Sequence, residues 1–324
     1  MSLPEFQLLR PATVDEAAGL LERHSSKLQI LAGGTDLIPS MRQRLFTPEY
    51  VMDITGLREL RGTRETPDGL AIGALTPLTT VEHHPVIRRE YRVLAEAAAT
   101  VASPVIRNMG TIGGNICLDT RCLWYNQSLT WRKSCGFCIK KDGDICHVAP
   151  GGSECWAAFS GDTPAALLCL DAKIEIVSRE GARRVALKDF YTGVGDAPLT
   201  IGKNELLTRV FLPRAMAGRK GAYRKLRVRG SIDYPLAGVA ISAANGGGAP
   251  HDVRVAIIAV NPAPILVEYE AGRAGDSWID AVENLAELAA RAAKPLTTSA
   301  LTPEYRREMV RVLTKRALNS ISPV

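Results

Sequence analysis

Six of the seven cysteines in this 324-residue chain fall within residues 117–155, and this concentration constrains the fold more than any other feature. The chain opens MSLPEF without an apolar signal segment and has no long apolar run that could span a membrane. We therefore expect a cytoplasmic protein, in which disulfides are rare and clustered thiols usually bind metal. The six cysteines are Cys117, Cys122, Cys135, Cys138, Cys146 and Cys155.

The kind of metal centre follows from ligand type and spacing. Thiolates favour zinc or iron–sulfur clusters, and the stretch offers only one imidazole, His147. A structural zinc site usually shows two C-x2-C pairs, but only Cys135 and Cys138 form one here. The wide spacing of the other cysteines favours a cluster, and zinc stays open as an alternative.

Two glycine-rich loops predict a dinucleotide site. AGGTD at 32–36 follows an apolar segment that reads as a buried strand, and GTIGGN occupies 110–115. Glycines let backbone N–H groups approach a phosphate, so two such loops suit a ligand with two phosphates. Neither loop has the G-x-G-x-x-G spacing of a Rossmann unit, and no P-loop motif is present, so we expect another dinucleotide fold.

Composition excludes several functions. The net charge is +6, but the basic residues are scattered, which argues against nucleic-acid binding. No Ser-His-Asp set or H-E-x-x-H motif is present, so hydrolysis is not expected. The apolar content of 46% suits an ordinary globular chain that can form two or three domains.

Periodicity and turn signals divide the chain into three predicted units: 1–55, 56–215 with a cysteine-rich insertion at about 116–157, and 216–324. Thr13 is predicted to cap the first helix, and Ser103-Pro104 should end a long helix over residues 86–101. In the third unit, a hairpin turn is predicted at Gly246–Gly248, and helices should cover a sheet through Val310 and its helix-spaced neighbours.

Four segments carry a family resemblance: AGGTD, GTIGGN, GDTPAALLCLDA at 161–172 and KLRVRGSIDYPLAGVA at 225–240. They resemble the FAD-binding subunit of the xanthine dehydrogenase and carbon monoxide dehydrogenase family of molybdenum hydroxylases, over nearly the whole chain. The resemblance implies an α+β fold with two FAD-binding subdomains, PCMH-like, and a C-terminal α/β sandwich domain. It implies FAD contacts at Gln29, Ile30, Leu31, Ala32, Gly33, Gly34, Thr35, Asp36, Val101, Thr111, Ile112, Gly113, Gly114, Asn115, Asp162 and Lys225.

In that resemblance the two glycine loops hold the pyrophosphate and Asp162 holds the ribityl or ring end of FAD. Asn115 and Asp162 lie 47 positions apart, much farther than in ordinary members. A cysteine-bearing insertion here resembles the 4-hydroxybenzoyl-CoA reductase branch of the family, whose flavoprotein also carries a [4Fe-4S] cluster. The implied ligands are Cys122, Cys138, Cys146 and Cys155, with Cys135 as the first substitute.

The implied function is electron transfer. Electrons would pass from ferredoxin through the [4Fe-4S] cluster and FAD to [2Fe-2S] clusters on a small subunit. They would then reach a molybdopterin site on a large subunit, where 4-hydroxybenzoyl-CoA is dehydroxylated to benzoyl-CoA. The chain would thus belong to a hetero-oligomer and hold no catalytic residue for the substrate. The alternatives are a hydroxylase FAD subunit with a zinc-stabilised insertion, and a non-catalytic zinc-stabilised binding arm.

A docking surface for ferredoxin is predicted on the insertion. Ferredoxins are usually acidic, and basic residues would steer their approach. Four basic residues lie close in sequence to the C-x2-C pair, and they could equally form a solvated surface balanced by neighbouring aspartates; they are Arg132, Lys133, Lys140 and Lys141.

Overall fold

The N-terminal part of the chain forms a small parallel sheet. The computed structural model describes residues 2–244, 251–269 and 278–322. The first three strands, β1 (Gln7–Leu9), β2 (Leu28–Leu31) and β3 (Tyr50–Asp53), are arranged in the order β1-β3-β2. Helix α1 (Val14–His24) connects β1 to β2, which both pair in parallel with β3 and therefore need a crossover connection. Thr13 caps α1 as predicted, because its Oγ1 accepts a hydrogen bond from Glu16 N at 3.1 Å. Helix α2 spans Leu37–Arg42.

The second sheet is antiparallel, with the strand order β4-β5-β8-β6-β7. Its strands are β4 (Thr63–Thr66), β5 (Gly69–Gly73), β6 (Lys173–Ser178), β7 (Gly181–Ala186) and β8 (Leu206–Pro213). Seven helices lie between β5 and β6: α3 (Leu78–His83), α4 (Pro85–Glu90), α5 (Arg92–Thr100), α6 (Pro104–Arg107), α7 (Ile112–Ile116), α8 (Leu129–Ser134) and α9 (Asp162–Cys169).

The prediction of a single helix over residues 86–101 is wrong, because the structure has two helices there, α4 and α5. The chain leaves helical geometry at Tyr91, with φ −130° and ψ 45°, and continues as a separate helix. The Tyr91 ring is buried, and its hydroxyl donates to Pro213 O at 3.3 Å at the end of β8. The buried Tyr91 side chain contacts the end of β8 at the point where α4 ends and α5 begins. Helix periodicity in the sequence does not reveal this break.

The C-terminal part contains an antiparallel sheet covered by two helices, with the strand order β12-β11-β10-β9. As predicted, Val310, Leu313 and Ala317 are buried on one face of the last helix. The hairpin turn predicted at Gly246–Gly248 lies outside the described residues. The elements are β9 (Lys220–Leu226), β10 (Ala237–Ala244), β11 (His251–Ile258), β12 (Ile265–Tyr269), α10 (Trp278–Ala292) and α11 (Pro303–Asn319).

Helix α9 joins the second and third sheets. All eight of its residues are buried, and it packs against α5 on one side and β10 and β11 on the other. The Cys169 thiol contacts Ala240 O at 3.4 Å, so this seventh cysteine is a buried core residue, as predicted. No helix in the described ranges is both long and apolar enough to cross a membrane.

Candidate cofactor sites

The two glycine loops lie against each other. A Cβ placed on Gly33 would come within 2.1 Å of Met109 O and 3.0 Å of Gly110 Cα, so this contact requires glycine. Gly34 has φ +70°, a left-handed conformation that also favours glycine. The fold thus brings loops that are about 75 residues apart into backbone contact.

The loops differ in the hydrogen-bond donors they offer. In the described part of the chain, the backbone N–H groups of Gly33, Gly34 and Thr35 have no hydrogen-bond partner. In the second loop, Gly113 N donates to Ala74 O at 2.9 Å, and Gly114 N donates to Thr111 Oγ1 at 3.1 Å.

The neighbouring N–H groups of Ile112 and Asn115 donate to Thr76 O and Thr111 O. The second loop was predicted to hold phosphate through N–H groups along Thr111–Asn115, but from Ile112 onward these groups are already used inside the protein. Gly113 instead permits close packing, because a Cβ there would lie 2.8 Å from Ala74 Cβ.

Asn115 connects the second loop to α9. Its Oδ1 accepts hydrogen bonds from Thr163 N at 2.9 Å and from Thr163 Oγ1 at 2.7 Å. The backbones of Arg121 and Ala158 also pair with each other, both N–O distances being 2.8 Å. The ends of the cysteine-rich insertion are therefore adjacent, and the surrounding fold is continuous across it.

Asp162 and Lys225 form a buried ion pair, in which Lys225 Nζ lies 3.0 Å from Asp162 Oδ2 and both side chains are 3% exposed. Asp162 Oδ1 accepts from the Tyr223 hydroxyl at 2.6 Å, and Lys225 also donates to Thr100 O at 3.0 Å. Burial raises the pKa of Tyr223 well above its ordinary value, so its hydroxyl stays protonated as the donor. The two predicted flavin contacts are brought together, but they bind each other.

The remaining predicted residues are spread around this region. Gln29, Ile30 and Leu31 form most of β2, which leads into the first loop. Val101 ends α5, next to Thr100, and its carbonyl accepts from Arg107 Nη1 at 3.0 Å. These positions border the loops and the ion pair.

A cavity of about 330 Å³ is connected to the first loop through two of its lining residues. Arg121 and Tyr234 line it, and both bind the loop residue Asp36: Arg121 Nη1 lies 3.0 Å and the Tyr234 hydroxyl 3.1 Å from Asp36 Oδ1. The Arg121 guanidinium also stacks over the Tyr234 ring, 3.9 Å from its centroid. Burial raises the pKa of the Asp36 carboxyl, although the nearby Arg121 opposes that rise.

Arg121 and Tyr234 are not among the site residues predicted from the sequence. Their only local signals were proximity to Cys122 and membership of the GSIDYPLAG segment. Arg306 on α11 is also absent from the residues predicted from the sequence. Its side chain is fully buried and donates hydrogen bonds to Leu236 O and Ala259 O, and both of these residues line the cavity.

Four of the six clustered cysteines line one narrow, largely enclosed cavity. All four are buried, and apolar and aromatic side chains complete the wall. Among the described residues, no three His, Cys, Asp or Glu side chains are grouped as ligands of one metal ion. The four cysteines are Cys122, Cys138, Cys146 and Cys155, the set implied by the family resemblance.

The other two clustered cysteines lie elsewhere. Cys117 ends α7 and packs against the core of the second sheet, where burial raises the pKa of its thiol to about 12. Cys135 ends α8 and is half-buried, and it does not line the cavity. Burial also raises the thiol pKa of Cys122 to about 11 and of Cys155 to about 12, so deprotonation there needs a compensating charge.

The predicted basic docking surface is wrong for two of its four residues. The Arg132 side chain is 1% exposed and donates to Arg44 O at 2.9 Å, which ties α8 to the end of α2. The Lys140 side chain is 4% exposed. Lys133 is exposed and Lys141 is 35% exposed, so only these two present charge at the surface.

Two protein-family models match the chain. Residues 4–215 match the model of the FAD binding domain in molybdopterin dehydrogenase. Residues 221–321 match the CO dehydrogenase flavoprotein C-terminal domain.

Individual relatives support membership of the same family. The chain is 30% identical to the carbon monoxide dehydrogenase medium chain of Hydrogenophaga pseudoflava, over 98% of this chain and 97% of that one. It is 34% identical to the aldehyde oxidoreductase FAD-binding subunit PaoB of Escherichia coli K12, over 81% and 84%. A solved structure of carbon monoxide dehydrogenase from H. pseudoflava superposes with a TM-score of 0.77 at 30% identity, covering 99% and 98% of the two chains. The chain therefore belongs to the FAD-binding medium-subunit family of the molybdenum hydroxylases.

Proposed function

We propose that this chain is the FAD-binding and [4Fe-4S]-bearing subunit of a molybdenum enzyme of the 4-hydroxybenzoyl-CoA reductase type. Its partners would be a molybdopterin-binding large subunit and a [2Fe-2S] small subunit, and ferredoxin would be its electron donor. The relatives named as medium chains support a hetero-oligomer. Bound FAD supplies a centre that exchanges two electrons and releases them singly, and the cluster exchanges one.

The observation that carries this proposal is the shared cavity of Cys122, Cys138, Cys146 and Cys155. In a [4Fe-4S] cluster each iron takes one thiolate, so the thiols surround the cluster and need not converge on one ion. Four buried thiols in an apolar wall are a suitable donor set for an iron–sulfur centre that excludes water. The cavity volume is about 10 Å³, so the segments that carry the cysteines must move apart to hold a cluster. The two cysteines outside the cavity give matched controls within the same insertion.

The first glycine loop supports FAD binding, because the N–H groups of Gly33, Gly34 and Thr35 are free to donate to a pyrophosphate. In the second loop we propose that Thr111 faces the ligand while Gly113 holds the loop against Ala74, which follows β5. The ribityl or ring end would then lie toward Asp162 and the cavity lined by Arg121 and Tyr234. We also propose the subdivision at 1–55, 56–215 and 216–324, with the insertion at 116–157.

The test is the cofactor content of the full chain purified without oxygen. We expect one FAD, about four irons and acid-labile sulfide per chain, no stoichiometric zinc, and broad absorbance beneath the flavin bands. Cys146→Ser should lose or destabilise the irons, whereas Cys135→Ser should keep them. FAD content should stay unchanged in both variants, because neither residue lies in a glycine loop.

Stoichiometric zinc without iron would refute the cluster and favour a hydroxylase FAD subunit with a zinc-stabilised insertion. Iron retained in Cys146→Ser but lost in Cys135→Ser would refute the ligand set alone. The substrate is tested separately, by reduction of 4-hydroxybenzoyl-CoA with the purified complex and reduced ferredoxin.

A further inference from the structure

Lys140 is a buried cation in the wall of the cysteine cavity. Its side chain is 4% exposed, yet it lines the cavity together with the four cysteines. Its Nζ donates to Asp119 Oδ1 at 2.8 Å, to Thr120 Oγ1 at 2.7 Å and to Gly195 O at 2.5 Å. An ammonium has three N–H donors, so all three are used and the charge is held at one position.

Gly195 places this charge beside a proposed ligand. Gly195 N donates to Cys155 O at 2.8 Å, and a Cβ on Gly195 would lie 2.9 Å from Cys155 Sγ. The residue whose carbonyl binds Lys140 is thus hydrogen-bonded to the Cys155 backbone and lies next to the Cys155 side chain.

The charge is only partly neutralised on the cavity side. Asp119 pairs with Lys140 but does not line the cavity, and its side chain is 23% exposed, so water screens it. The rest of the wall is thiol, aromatic and aliphatic, apart from His147. In such surroundings a fixed charge acts through a low effective dielectric constant.

We propose that Lys140 raises the reduction potential of the cluster as a fixed positive charge in the wall of its cavity. The inference rests on the proposed [4Fe-4S] site. Reduction adds one electron from the donor to the cluster and makes or breaks no bond in the protein. The reduced cluster carries one more negative charge than the oxidised one, so a nearby cation stabilises the reduced form more.

The experiment is a redox titration of the full chain with dithionite, followed by the EPR signal of the reduced cluster. Lys140→Met removes the charge at similar length, and we expect the ratio of reduced to oxidised cluster to fall about tenfold at a fixed potential, a shift of about 59 mV for one electron. Lys140→Arg should stay near the parental midpoint. Lys141→Met, which changes the adjacent and more exposed lysine, is the matched control and should not shift it.

Asp119→Asn keeps Lys140 but removes its partner charge, and it should move the midpoint upward. Lys140→Met with four irons and a parental midpoint would overturn the inference. If Lys140→Met fails to hold the cluster, an unchanged or lowered midpoint in Asp119→Asn would overturn it instead. A parent chain without four irons would overturn the proposed function and this inference together, whereas unchanged potentials in iron-replete variants would overturn this inference alone.

Discussion

The side-chain oxygen of Asn115 accepts two hydrogen bonds from Thr163, one from its backbone N–H and one from its hydroxyl. These residues flank the cysteine-rich insertion, 48 positions apart in sequence, and both are buried. One amide therefore holds the second glycine loop to the start of α9. The insertion can carry its own cavity without separating the two parts of the flavin site.

Asn115→Ala should destabilise the chain, because two donors of Thr163 would be left buried and unsatisfied. Each such group costs about 1–3 kcal/mol. Urea unfolding of the variant and the parent measures the loss, and the exposed Asn204→Ala is the control. Equal midpoints for Asn115→Ala and the parent would show that the contact does not hold the loop.

Gly33→Ala should lower FAD affinity by forcing the two glycine loops apart, since the added Cβ would lie 2.1 Å from Met109 O. The measurement is flavin content after purification together with FAD titration by fluorescence quenching. Gly56→Ala is the matched control, because no atom lies within 4 Å of a Cβ there. Full FAD occupancy and parental affinity in Gly33→Ala would contradict the proposed pyrophosphate site.

Glu205 predicts a pH dependence of stability. Arg183 donates to both of its carboxylate oxygens, at 2.7 and 2.8 Å, and this lowers the pKa of Glu205. A lowered pKa in the folded state stabilises the protein above the unfolded value of about 4.3, and this contribution is lost as pH falls through the lower folded value.

Glu205→Gln should therefore cost less than about 1 kcal/mol at pH 7, since the pair is partly exposed, and progressively less as the pH falls from about 4.3 towards 3. Unfolding free energies across that range measure the difference. The exposed Glu22→Gln serves as the control. A loss that stays constant with pH would mean that the ion pair is not its origin.

Ferredoxin docking, which rests on the proposed function, should depend on the exposed lysines of the insertion. In the parent, salt should slow reduction by ferredoxin, because the Debye length falls from about 10 Å at 0.1 M to about 3 Å at 1 M. Lys133→Glu/Lys141→Glu removes the positive charges that attract ferredoxin, so it should slow the reaction and weaken its salt dependence. Stopped-flow absorbance measures the rate. Reduction by a small neutral dye, and the charge-matched pair Lys188→Glu/Lys203→Glu outside the insertion, should show parental rates. Parental ferredoxin rates in the first double variant would exclude this docking surface.

Local sequence predicted several elements correctly. Capping at Thr13, the strand before AGGTD and the helix face of Val310 follow from short-range patterns, and each is present in the structure. The clustered cysteines predict a metal centre, because the affinity of a thiol for metal depends on residue type and can be read from the sequence. Choosing four of the six needed the family resemblance, since spacing along a loop does not determine which side chains turn inward.

Tertiary structure decided which side chains meet and which are buried. Tyr234 and Asp36 are 198 positions apart, and no local pattern brings them to one cavity. Lys140 and Lys141 are neighbours of identical type, yet one is buried against Asp119 and Gly195 and the other is partly exposed. Whether a side chain is buried, and which residue it contacts, depends on contacts between distant segments. Neither property can therefore be read from the spacing of a motif.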